Sequence, residues 1–302
     1  MESLHGKNCL ITGAASGIGR ALAQGLAREG MNLFLADIDT DGLSEVKEEL
    51  ERGGATVHTA RCDVSRYEDF LKLAEESRSR LGDVDLLINN AGVASAGLID
   101  ELGRDEWEYA LKVNTWSIIH SIRAFLPRMI ERGTGHIVNV ASGAGIVGIP
   151  YHAPYIASKF AVVGISEALY SELKHACGGI DVSVICPTFL KTNIIKRTPI
   201  AVPRRLLEEA GGEDVAARME EFKAIFWEKY TRGAPPVAKV AEKYIRGIKK
   251  KRFYIFDTPR LRVAMVLKGA CEPLYKAVLR SEGRKDLRMI EETLKEMGIG
   301  VA

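Results

Sequence analysis

The chain has 302 residues, and several features are missing from it. No window holds about 18 uninterrupted apolar residues, so no membrane-spanning helix is expected. The five cysteines, at 9, 62, 177, 186 and 271, form no Cys-x-x-Cys pair and do not cluster with the six histidines. That excludes a disulfide framework and the usual metal spacings, and leaves reduced, buried thiols of a cytoplasmic protein with no metal. A large charge of one sign is also missing: 42 Lys/Arg stand against 40 Asp/Glu, a net of +2, which points to no particular partner. The N-terminal Met-Glu-Ser-Leu-His-Gly-Lys has no leader-like apolar run. There is no internal repeat or low-complexity tract. Apolar content of 46% and charged content of 27% supply an ordinary globular core.

What is present alternates. Short apolar runs at 7–12, 31–36, 56–61, 85–88, 136–140, 180–186 and 253–256 read as strands. Helical spacings at 17–28, 41–52, 66–80, 105–131, 155–176 and 237–249 separate most of them. Alternation with short links predicts an α/β doubly wound parallel sheet flanked by helices. Ligands of such sheets lie at the carboxyl ends of the strands.

Chemistry-bearing residues fall at those ends. Gly13-Ala14-Ala15-Ser16-Gly17-Ile18-Gly19 lies between the first strand and first helix. A literal Gly-x-Gly-x-x-Gly is absent, but glycines spaced Gly-x-x-x-Gly-x-Gly still let a backbone approach a pyrophosphate at a helix N-terminus. Asp37 closes the second strand, about 20 residues past the glycines, where an acid accepts from an adenosine ribose and repels a 2′-phosphate. Neither Ser16 nor Ile38 is basic, and Asp39 and Asp41 add negative charge, so NAD(H) is favoured over NADP(H). Asp63-Val64 follows the third strand, where Asp63 can accept from an adenine amino group. Asn89-Asn90-Ala91-Gly92 leaves the fourth strand and Ser142 the fifth.

Pro154 suits a helical first turn, which puts Tyr155 and Lys159 four apart on one face. A phenol beside a fixed ammonium is a device for making phenolate. A free tyrosine titrates near pH ~10, so basicity at pH 7 requires about 4 kcal/mol of stabilisation of the charged form. By itself such a pair is an ordinary surface contact; its surroundings decide. Asn114, inside a helical run where asparagine is not favoured, reads as solvated or as a bend that holds a water.

Together, Thr12-Gly-x-x-x-Gly-Ile-Gly19, Asn89-Asn-Ala-Gly92, Asn114, Ser142 and Tyr155-x-x-Ser-Lys159 resemble the short-chain dehydrogenase/reductase family. The resemblance covers about residues 5–256, and Ser142 precedes Tyr155 by the family's thirteen residues. It implies a Rossmann-type sheet of about seven strands. It implies Tyr155 as general acid/base, Lys159 lowering its pKa and holding the nicotinamide ribose, Ser142 polarising the substrate oxygen, and Asn114 positioning a water. Pro187-Thr188-Phe189-Leu190-Lys191-Thr192 looks like the family's Pro-Gly-x-Val-x-Thr, which assigns the nicotinamide carboxamide to Thr192. The departure is Thr188 in place of glycine, which puts the geometry of that loop in question. A homodimer or homotetramer through helices 105–131 and 155–176 is the family's habit.

The expected reaction interconverts a secondary alcohol and a ketone. Ile146-Val147-Gly148-Ile149-Pro150, with Ile194, Ile195, Leu206, Leu207, Met219, Phe222, Phe226 and Tyr230 in a substrate loop at about 188–235, reads either as helix packing or as an apolar wall for a lipophilic substrate. A 3-oxoacyl-type carbonyl reductase and a non-catalytic nucleotide-binding regulator are the alternatives. The dehydrogenase domain is expected to span 1–257, followed by a basic helical extension over 258–302. From 246 through 288, thirteen Lys/Arg meet four acids, a net of +9. This region reads either as a helical pair packed on the subunit or a neighbour, or as a peripheral membrane contact. No nucleic-acid module accompanies the charge.

Overall fold

The computed structural model describes residues 3–176, 178–192, 194 and 215–298. Cys177, Ile195, Leu206, Leu207 and the side chain of Tyr230 lie outside the described residues. Seven strands form one sheet: β1 (Asn8–Thr12), β2 (Asn32–Asp37), β3 (Val57–Arg61), β4 (Leu86–Asn89), β5 (Gly135–Val140), β6 (Ile180–Cys186) and β7 (Tyr254–Phe256). The order is β3-β2-β1-β4-β5-β6-β7, and every pairing is parallel. The chain reverses direction across the sheet between β1 and β4, the crevice where ligands of such sheets bind.

Alternate residues of each strand feed opposite faces. Cys9, Ile11, Leu33, Leu35, Leu86 and Ile88 pack under α1 (Gly17–Arg28) and the helix Val237–Lys249. Leu10, Phe34, Ala36 and Leu87 pack under the other face, with Phe70 and Leu73 of the helix Tyr67–Leu81. Both sides of the sheet are therefore dry, which accounts for continuous apolar strands instead of alternating ones.

The helix expected over 105–131 is not uniform. It runs as Arg104–Ala110, a π-helical turn Leu111–Trp116, and Ser117–Arg132. Asn114 lies in the π turn, buried, and the extra residue per turn marks a place where backbone pairing yields to another demand. The catalytic helix, Ala153–Ala176, starts where Pro154 places it.

The C-terminal residues form two helices, Pro259–Ala270 and Glu272–Glu296, which pack on the same subunit. Ala264, with Leu261, Met265, Tyr275 and Leu279, joins a cluster containing Ile146 and Val147. Ile290 and Leu294 join Tyr151, Met219, Phe222 and Phe226. The apolar residues near 146–150 and along the helix Val215–Thr231 were candidates for a substrate wall; Ile146, Val147, Met219, Phe222 and Phe226 are instead buried in these clusters. The C-terminal helices thus cover apolar surface of the preceding residues.

Candidate active site

The glycine turn is built by close approach. Gly13 has φ +68°, and a Cβ on it would lie 2.7 Å from Ala91 Cα. Asn90 Nδ2 donates to the carbonyls of Thr12 (3.0 Å) and Gly13 (2.9 Å), while Thr12 Oγ1 accepts from the N–H groups of Asn90 and Ala91. A turn so held cannot accept side chains at Gly13 or Gly19. Ser16 precedes α1 in extended backbone and makes no side-chain cap bond, and the first turn of α1 carries no acid. The N–H groups of Gly17, Ile18 and Gly19 thus end a helix open to an anion. Ile18's own side chain packs against the core.

Asp37 is fastened to this turn. Its Oδ2 accepts from the Ala15 N–H at 3.0 Å, and its Oδ1 from the Asp39 N–H at 3.1 Å. Exposed Ile38 stands beside it. Asp63 Oδ1 accepts from the Ser65 N–H and hydroxyl, and Val64 has its side chain in the core. The Asn89 amide donates to Asn139 (2.9 Å) and accepts from the Ser121 hydroxyl (2.5 Å), both inside the sheet. Asn139 in turn donates to Ser166. A buried amide must satisfy both ends, and the Asn89 side chain ties β4 to β5 and the flanking helices. Asn90, which spacing did not single out, holds the turn; only the tertiary pairing of β1 with β4 reveals it.

Ser142, Tyr155, Lys159, Asn114 and Gly92 converge at the ends of β4 and β5. The Ser142 hydroxyl accepts from the Ala144 N–H and hydrogen-bonds to Tyr155. Lys159 is buried; its Nζ donates to the Val140 carbonyl at 3.1 Å and lies 5.7 Å from the Tyr155 ring centroid. Asn114 Oδ1 accepts from the Val93 N–H (2.8 Å), and Nδ2 donates to the Val93 carbonyl (2.9 Å) and the Ser158 hydroxyl (2.8 Å). Ser158 donates to the Tyr155 carbonyl at 2.7 Å. The π turn therefore clamps the loop after Gly92 to the first turn of the catalytic helix. A Cβ on Gly92 would lie 3.0 Å from Asn114 Oδ1 and 3.2 Å from Lys159 Nζ, so only glycine leaves that corner open.

Burial controls the titrations. It pushes the Tyr155 phenol up, against the opposing hydrogen bond from Ser142, and brings Lys159 down to about 8. Desolvation of the phenolate outweighs an ammonium that is turned toward Val140.

Around this centre, Pro187 accepts from the Gly143 N–H at 2.7 Å. Thr192 lies against the glycine turn: a Cβ on Gly17 would be 3.4 Å from Thr192 Cβ. Thr188 is not among the described non-glycine residues with positive φ, which are Tyr151 and Lys251, so threonine meets no strain there. His152 was not anticipated. It is buried, which pushes its pKa down, with Nδ1 bonded to the Ser95 carbonyl at 3.0 Å, and it pairs with Gly97 in a short bridge just before the catalytic helix. The extension reaches this region. A Cβ on Gly143 would lie 3.0 Å from Leu261 Cδ2, and Lys268 Nζ donates to the Ile146 carbonyl at 3.2 Å.

The open helix terminus, the closed glycine cradle and Asp37 fit a dinucleotide. With a Ser–Tyr–Lys set at the same sheet edge, they define a Rossmann-type oxidoreductase.

Comparison with known proteins agrees. Residues 7–201 match the family model for short chain dehydrogenase. A CLA biosynthesis dehydrogenase/reductase of Lactiplantibacillus plantarum is 34% identical over 262 residues, 86% of this chain and 90% of that protein. Human estradiol 17-beta-dehydrogenase 11 is 36% identical over 227 residues, 74% of this chain and 76% of that one. A short-chain dehydrogenase/reductase from Burkholderia phymatum, solved in complex with NAD, superimposes with a TM-score of 0.77 at 34% identity, covering 91% of this chain and 96% of that one. The chain belongs to the short-chain dehydrogenase family. It is an NAD(P)-dependent dehydrogenase/reductase acting on CH–OH groups.

Proposed function

We propose that the protein interconverts a secondary alcohol and a ketone with NAD. The observation that carries the cofactor choice is Asp37, whose carboxylate is fastened by the Ala15 and Asp39 N–H groups at the ribose end of the cradle. A 2′-phosphate there meets a fixed negative charge. The residues proposed to hold NAD are Gly13, Ser16, Gly17, Ile18 and Gly19, Asp37, Asp63 and the Val64 backbone, Ala91 and Gly92, Tyr155 and Lys159, Pro187 and Thr192. Asn89 contributes through its backbone.

When bound, NAD supplies the hydride acceptor and a positively charged ring. Ser142 donates to the substrate oxygen and orients the carbinol. The Tyr155 phenolic oxygen takes the hydroxyl proton; positive charge at the site favours the phenolate that burial alone disfavours. Lys159, brought down to about 8, exchanges protons near neutral pH. Asn114 keeps Gly92, Val93 and the catalytic helix in register, and its Oδ1 faces the same corner as Lys159 Nζ.

The lipophilic-substrate reading is now supported by the steroid-named relative rather than by an apolar wall. The test is an absorbance screen of secondary alcohols of graded lipophilicity with both cofactors. Preference for NADP, or for small polar alcohols over steroid-like or long-chain ones, would overturn the respective half of the proposal. Asp37→Ser is expected to relax the NAD preference by about 10- to 100-fold. A carbonyl reductase of the 3-oxoacyl type would show itself as NADPH-driven ketone reduction.

Exposed Tyr109 on the helix before the π turn, Trp116 at the end of that turn and Tyr170 on the catalytic helix support assembly as a homodimer or homotetramer. Among the described residues, no helix is long and apolar enough to cross a membrane. Exposed Val263, Val266 and Leu274, beside Arg260 and Arg262, keep a peripheral membrane contact as the second reading of the extension.

A further inference from the structure

The helix Val215–Thr231 and the long C-terminal helix Glu272–Glu296 meet along their inner sides, through Phe222 and Phe226 on one and Ile290 and Leu294 on the other. Between their outer parts lies a cavity of about 530 Å³, lined by Lys229, Arg232, Ser281, Arg284, Lys285, Arg288, Met289, Glu292 and Glu296. Five cations thus face two carboxylates. Lys229 pairs with Glu296 at 2.9 Å, and Arg232 reaches Glu228 at 3.7 Å. Arg284 and Arg288 make no ion pair among the described residues.

The arrangement works against the free protein. Arg284 and Arg288 are four apart on one helix face, a like-charge pair, with Lys285 beside them. The Glu282 and Asp286 carboxylates on the same helix do not line the cavity, and Asp286 is buried with its acid held up to about 6 by desolvation. The helix Val215–Thr231 brings Lys229, and the turn after it Arg232, across from them. A multiply charged anion would offset this repulsion, and guanidinium pairs match the geometry of phosphate oxygens. The volume suits a small organic ligand.

We propose that this groove is a binding site for a phosphate-bearing anion. The site is distinct from the dinucleotide cradle, since none of its lining residues belongs to the glycine turn or to the Ser142–Tyr155–Lys159 centre. It bears on the active site mechanically. The helices that line it also grip the loop before the catalytic tyrosine: Phe226 and Tyr151 ring centroids are 5.9 Å apart, and a Cβ on Gly283 would meet Pro150 at 4.0 Å.

The full chain, saturated with NADH so that the cradle is filled, is titrated calorimetrically with inorganic pyrophosphate, with sodium chloride of equal ionic strength as control. Saturable one-to-one binding is expected. It should weaken at least about tenfold in Arg284→Gln/Arg288→Gln and recover largely in Arg284→Lys/Arg288→Lys. Circular dichroism and turnover of a small neutral alcohol should be unchanged in both variants, since both arginines are exposed and outside the catalytic centre. Pyrophosphate binding indifferent to the glutamine pair, or absence of saturable heat together with absence of arginine-dependent vesicle retention, overturns the proposal. A parallel arm uses phosphatidic acid vesicles against phosphatidylcholine vesicles. Arginine-dependent retention by phosphatidic acid vesicles, with or without pyrophosphate binding, supports the site and names a lipid headgroup as a source of the phosphate. Retention that survives the glutamine pair assigns vesicle binding elsewhere, and unless pyrophosphate binds in an arginine-dependent way it overturns the proposal.

Discussion

Thr188 gives both its backbone N–H (2.9 Å) and its hydroxyl (2.7 Å) to a single oxygen of Asp257. Tyr244 approaches the same oxygen at 3.3 Å. The threonine that departs from the family's glycine thereby fastens the loop after β6 to the residue that follows β7. Thr188→Val should remove the hydroxyl bond and destabilise by about 1 kcal/mol, and Asp257→Ala, which strips two partners, by about 1–3 kcal/mol. Urea denaturation measures both. The loop leads to Thr192, so Asp257→Ala should also weaken NAD binding several-fold, whereas an unchanged Kd would separate the loop from the cofactor.

Tyr155→Phe removes the proton acceptor while keeping the ring. Turnover should fall by about 10²- to 10⁴-fold with NAD affinity nearly intact. Fluorescence titration with NADH and a steady-state assay distinguish this from unfolding. Activity within a few-fold of the parent would reject Tyr155 as the acid/base.

The pH dependence of stability has a definite sign at Lys159. Its folded value of about 8 lies below the 10.5 of a free lysine, so between those values the unfolded chain holds more protons. Keeping the buried ammonium penalises the fold in full below pH 8, by about 3 kcal/mol, and the penalty fades as pH rises toward 10. The stability of the parent relative to Lys159→Met, in the absence of cofactor, should therefore increase from pH 7.5 to pH 10. A flat or falling difference in a denaturation series contradicts the burial argument.

The extension is expected to act on substrate rather than cofactor. Leu261 touches Gly143, the neighbour of Ser142, and Lys268 holds the Ile146 carbonyl while its Nζ sits 4.2 Å from the Phe160 ring centroid. Lys268→Ala should raise the substrate KM several-fold and leave the NAD Kd unchanged. Leu261→Ala, at a half-buried site, should lower stability by about 1–2 kcal/mol. Equal loss of affinity for both ligands would show general loosening instead.

Much of the architecture was legible because it depends on local periodicity. The strands and helices were placed within a few residues, and β6 and the helix Val237–Lys249 coincide with their expected limits. Turn chemistry likewise exposed the glycine cradle and Asp37, and four-residue spacing exposed Tyr155 with Lys159. The individual duties within the site were less legible. Asn89 and Asn90 are adjacent in sequence, yet one faces the sheet interior and the other the glycine turn. Strand pleating sends neighbours to opposite sides, and only the pairing of β1 with β4 shows which side holds what.

Sequence alone determined the parallel sheet, the nucleotide cradle and the phenol–ammonium pair, because each follows from a short-range rule about backbone, charge or helical pitch. Tertiary structure decided what occupies each surface. It buried Ile146, Val147, Met219, Phe222 and Phe226 under the C-terminal helices, turned Lys159 toward Val140, and left two arginines facing a cavity without partners among the described residues. Apolar side chains carry no label saying whether protein or ligand will cover them. Their burial follows from long-range packing, which no local pattern encodes.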